Sequence, residues 1–143
     1  MSPATTRRVL VALVALAGPV ILGLDLGVRA LLMSMQPEDV REFLAGEVTR
    51  LAWYCVPAPV VGALAAFVAY PRLRARFTGR AGGDRVGADL KALFVTASFI
   101  QLPALLGDLS VMLGARLTPA LLMTSFSTLA VLALAAFAGA RAA

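Results

Sequence analysis

Apolar residues fall in four long stretches, 9–33, 51–70, 92–115 and 117–140, with polar segments between most of them. A hydrocarbon core about 30 Å thick needs ~20 helical residues, so each stretch is long enough to cross it. The second and fourth contain no charged residue. The first holds Asp25 and Arg29, and the third holds Asp108. The pattern predicts an all-α membrane protein, a four-transmembrane-helix bundle forming a single integral domain over residues 1–143. Of the segments between spans, 36–50 reads as an amphipathic helix: Pro37 suits a first helical position, Glu38 and Asp39 suit the positive end of the dipole, and Val40, Phe43, Leu44 and Val48 share one face. Such a segment lies at the outer interface or lengthens the second span outward. Residues 71–91 read as a basic loop with a glycine-rich centre.

Charge placement orients the spans. Arg7 and Arg8 precede the first, Arg72, Arg74, Arg76, Arg80, Arg85 and Lys91 separate the second from the third, and Arg141 follows the fourth. Glu38, Asp39, Glu42 and Glu47 collect on the other side. By the positive-inside rule both termini and the basic loop are cytoplasmic, giving an N-in/C-in, multi-pass protein of an inner or plasma membrane. Trp53, Tyr54 and Tyr70 stand at span ends, where interfacial aromatics belong. Composition agrees: 60% of residues are hydrophobic and the mean hydropathy is +0.87, above the soluble norm of about 45–50% apolar residues. Because the net charge of +5 is concentrated at span boundaries, anionic lipid headgroups are the expected partner of the loop, and nucleic acid is not. Arg7-Arg8 followed by Ala15-Leu16-Ala17 has the outline of a cleaved leader, but no polar region precedes that site and the apolar run continues to Leu24, so the segment is expected to be retained.

Two matches suggest internal duplication. Pro19-Val20-Ile21-Leu22-Gly23-Leu24-Asp25 resembles Pro103-Ala104-Leu105-Leu106-Gly107-Asp108 with a one-residue gap, and Ala63-Leu64-Ala65-Ala66-Phe67 recurs as Ala133-Leu134-Ala135-Ala136-Phe137. Their order predicts two tandem helical hairpins in a parallel repeat. Gly23 with Gly27, and Gly62 with Ala66, have the small-x-x-x-small spacing of closely packed membrane helices.

Candidate chemistry lies in the ionisable residues inside spans, which cost about 2.5–3.5 kcal/mol each at a helix centre on insertion scales. Asp25 and Arg29 are four apart, with the acid N-terminal, as a helical ion pair prefers. Asp108 has no intrahelical partner. If Arg29 serves Asp25, Asp108 becomes a carboxylate able to exchange a proton, approached by Ser98 and Gln101 on the same helix. The expected site is therefore Asp25, Arg29, Asp108, Gln101 and Ser98, acting in a proton- or ion-linked transporter or channel-like protein. Four helices enclose little volume, so a homo-oligomer or a partner membrane subunit is expected as well. The alternative is a non-catalytic accessory or assembly subunit in which the same charges only hold the bundle. With no His and a single Cys, Cys55, the chain offers no His-ligated haem, Cys-pair redox centre or metal site, and neither a cofactor nor an enzymatic activity is expected.

Overall fold

A computed structural model describes residues 3–80 and 85–140, which form five α-helices: α1 (Pro3–Met35), α2 (Glu38–Cys55), α3 (Ala58–Arg80), α4 (Arg85–Met112) and α5 (Leu117–Ala140). Only Val56 and Pro57 separate α2 from α3, so the amphipathic segment and the second span form one nearly continuous element. Proline explains the break, since it donates no N–H to the preceding turn and its ring crowds the carbonyl there. Counting α2 and α3 together, four elements are long and apolar enough to cross a membrane. The basic segment read as a loop over 71–91 is mostly helix instead, because α3 continues to Arg80 and α4 begins at Arg85. Residues 81–84 and Arg141 lie outside the described residues.

The distribution of side chains is that of a membrane bundle. Large apolar residues point outward on every span, among them Leu24 on α1, Leu64 on α3, Leu106 on α4 and Leu129 on α5. The interior meanwhile holds Asp89, Thr96, Gln101, Asp108, Ser110, Thr124 and Ser127. Water would not tolerate so apolar an exterior on so small a protein, whereas lipid solvates it.

Helix α4 is the axis of the fold. It packs against α1, α3 and α5, and α5 in turn touches α1 and α3. No comparable contact joins α1 to α3. The α4–α5 hairpin thus sits between the arms of the first, and the first does not close on itself. A parallel pair of equivalent hairpins would instead give α1–α3 the same packing as α4–α5. The matched residues also differ in surroundings: Pro19 is exposed where Pro103 is buried, and Ala66 is buried where Ala136 is exposed. The expected two-hairpin repeat is therefore not expressed in the packing, and the matches reflect a shared Ala/Leu-rich composition.

Close approach between helices occurs at glycines other than those with the small-residue spacing. A Cβ on Gly107 would lie 3.1 Å from the Ala120 Cα, and one on Gly18 would lie 3.1 Å from both Gln101 Oε1 and Thr124 Cγ2. Gly23, Gly27 and Gly62 have nothing within 4 Å of the same position. Ala66 alone of that set is buried, within the inner core. The turn from α4 to α5 closes at Gly114, whose φ of 103° is reached without strain only by glycine.

Candidate functional site

Facing α4 and α5, α1 presents a stripe of Val11, Val14, Ala15, Gly18, Leu22, Asp25 and Arg29 at helical spacing, each of them at least partly buried. The backbone of this stripe is interrupted at Pro19, which has no N–H to offer the Ala15 carbonyl one turn earlier. Thr128 on α5 supplies the missing donor, its Oγ1 lying 3.3 Å from that carbonyl. Gln101 on α4 reaches the adjacent one, with Nε2 donating to the Val14 oxygen at 3.0 Å. Lipid could offer neither bond, so the proline keys α1 to its neighbours.

Asp108 lies further along α4, wholly buried. Its Oδ1 accepts a hydrogen bond from Thr124 Oγ1 at 3.1 Å, while Oδ2 has no partner among the described residues. Gln101 Oε1 and Ser127 Oγ are buried and unpartnered in the same way. Asp25, half-buried on α1, is near enough to act on Asp108 as a like charge. Ser98 is half-buried on the face of α4 that bears Gln101 but is not bonded to it.

Arg29 does not join the carboxylates. Its Nη1 donates to the Ala115 carbonyl at 2.7 Å and its Nη2 to the Gly114 carbonyl at 3.4 Å. No ion pair within 4.0 Å forms between Arg29 and Asp25 or Asp108, which corrects the expected Asp25–Arg29 pair and three-member cluster. The physical reason is competition. Carbonyls past the end of a helix carry partial negative charge and lack intrahelical donors, so a guanidinium that reaches them satisfies two orphan acceptors at once. Asp108 is thereby left without a counter-charge.

A second polar cluster, missed in the sequence, lies at the inner end of the bundle. Tyr70, expected as an interfacial aromatic, is fully buried and donates its hydroxyl to Asp89 Oδ1. Arg74 Nε pairs with the same oxygen at 3.2 Å. Phe137 packs edge-on against both Tyr70 and Phe67, and Arg7 Nη2 donates to the Ala135 carbonyl at 2.9 Å near the end of α5. An open cleft of about 570 Å³ beside this cluster is lined by Tyr70, Arg74, Thr78 and Arg85, among others. The available signal was the spacing of Tyr70 and Arg74, one helical turn apart, which continues the second span past its apolar end. Among the described residues no three His, Cys, Asp or Glu side chains come together as metal ligands would.

Fold and site together define a class, the small polytopic membrane protein built as an asymmetric four-span helical bundle. Comparison with protein-family models, curated proteins and solved structures finds no match to the chain.

Proposed function

We propose that the protein is a proton-linked membrane protein in which Asp108 is the group that takes up and releases the proton, working within an oligomer or beside a partner subunit. One observation carries the reading: a carboxylate wholly buried among membrane helices has one oxygen bonded to Thr124 and the other to nothing. An ionised carboxylate in such surroundings needs a counter-charge, and the only nearby guanidinium is engaged by carbonyls. Protonation resolves the conflict, because the neutral acid carries no charge to desolvate. Structural acids in membrane bundles are paired, whereas unpaired ones mark proton and ion pathways. The orientation that goes with this reading is N-in/C-in, supported by the arginines flanking the spans.

The test is Asp108→Asn in purified protein reconstituted into vesicles. Infrared difference spectra across a pH titration should show a protonated-carboxyl band in the parent that vanishes in the variant, while proton flux read by an entrapped dye is lost and the thermal midpoint is held. A parent with no titrating carboxyl band, or a variant that keeps full flux, removes the proposal. Loss of folded protein in Asp108→Asn with intact flux in Thr124→Val would favour the accessory-subunit reading, in which the carboxylate only holds the bundle.

A further inference from the structure

Polar and apolar groups are not spread evenly along the interior. From Gln101 outward, the space between α1, α4 and α5 holds Gln101, Thr124, Asp108, Asp25, Ser110 and finally Arg29, with only Leu22, Val111, Ala120 and the half-buried Leu117 clustered among them. From Gln101 inward the same space is filled by Ala15, Ala97, Ile100, Leu93, Val131 and Leu134, nearly all of them completely shielded. The single buried hydroxyl on α4 in that half, Thr96, is spent on its own helix, donating to the Ala92 and Leu93 carbonyls.

We infer that Asp108 exchanges its proton with the outer side alone, through Asp25, and that the apolar packing around Ile100 and Leu134 is the inner seal. This rests on the reading of Asp108 as the proton site. Asp25 suits an entry group: it belongs to the bundle-facing stripe of α1, it is half-buried where Asp108 is fully buried, and it acts on Asp108 electrostatically. The transfer is a proton hop from outer water to the Asp25 carboxylate and on to Asp108 Oδ2, the oxygen with no partner, and the return runs in reverse. The charges around Asp108 all belong to the outer half. Asp25 and Arg29 come from α1, Glu47 and Arg50 bond to each other on α2, and Arg116 lies in the turn that α2 touches through Thr49. α5 carries no charge between Leu117 and Ala140, and α3 carries none before Arg72. Arg29, fixed at the mouth on the Gly114 and Ala115 carbonyls, repels metal cations while water still passes protons, so the site selects for protons.

The experiment uses the full chain in vesicles whose orientation is fixed by labelling one terminus. The pH is stepped on one side at a time, and the Asp108 carboxyl band, assigned by its absence in Asp108→Asn, is followed in time. The parent should respond to the outer step and lag far behind on the inner one. Asp25→Asn should slow the outer response about a hundredfold, the lower end of what a positioned proton-transfer group contributes. Its final amplitude should stay unchanged, and Asp25→Glu should restore the rate. Ile100→Ser, which places a hydroxyl in the seal, should make the inner step visible. A faster inner response in the parent overturns the inference, as does an unslowed outer response in a folded Asp25→Asn. Should Asp25→Asn fail to fold, an inner response unchanged by Ile100→Ser overturns it by itself. Absence of any titrating Asp108 band instead removes the proton-site reading beneath it.

Discussion

Adding one methyl group at a time to the glycines separates the helix contacts that hold this bundle from those suggested by spacing alone. In Gly107→Ala the new Cβ would lie 2.8 Å from Met123 Cε and 3.1 Å from the Ala120 Cα. The methionine methyl can swing away, but Ala120 Cα is backbone and yields only if α4 and α5 move apart. Overpacking of this kind costs about 1–3 kcal/mol. Replacing a glycine within a helix returns about 0.8–1 kcal/mol, leaving a net loss of roughly 0–2 kcal/mol for Gly107→Ala. Gly23→Ala and Gly27→Ala meet nothing within 4 Å, so each keeps only the gain. Cys55, the single cysteine and half-buried, makes a convenient reporter: a thiol-reactive fluorophore added during a thermal ramp in detergent captures it as the bundle opens. At about 3–5 °C per kcal/mol for a chain of this size, Gly107→Ala should melt several degrees below Gly23→Ala. Gly107→Ala melting at or above the parent would refute the close α4–α5 approach. A fall in Gly23→Ala or Gly27→Ala would mean that a second copy covers this face of α1.

Two double-mutant cycles test the remaining contacts in the same melting assay. If Arg29 serves the Gly114 and Ala115 carbonyls and not Asp25, then Arg29→Gln should destabilise by about 1–2 kcal/mol, and Asp25→Asn should add to it within about 0.5 kcal/mol; a larger coupling would restore the ion pair. Thr128→Val should cost about 0.5–1.5 kcal/mol in the parent but less in the Pro19→Ala background, where the Ala15 carbonyl regains a helical donor. Equal costs in the two backgrounds would show that Thr128 does not compensate the proline.

Spans were legible in the sequence and facing was not, for one physical reason. In water a helix advertises its buried side by contrast, because only that side is apolar. In lipid both sides are apolar, and a reader sees Leu106 and Ile100 as alike although one faces outward and the other is sealed in the core. Small-residue spacing is a weak substitute. It selected Gly23 and Gly27, which touch nothing, over Gly18 and Gly107, where the helices meet. Polar residues inside spans were the better guide. Gln101 and Asp108 were found because each is costly to bury, and Thr124 and Thr128 answer them across the interface. Tyr70, Arg74 and Asp89 were missed because a run of arginines reads as loop, although α3 and α4 continue through it.

What decides the character of the site is the destination of Arg29. Charge spacing along α1 favours a pair with Asp25, worth only about 0.2–0.5 kcal/mol on an isolated helix. The carbonyls past the end of α4 offer two acceptors that nothing else in the bundle can satisfy, in a solvent that supplies no donors. The sequence shows the first possibility because it is local; the second is set by a contact more than eighty residues away. Once the guanidinium is fixed there, Asp25 and Asp108 face each other as like charges with no cation between them. Two acids so placed cannot both stay ionised cheaply, which is the condition under which a proton resides on one of them and can be passed to the other.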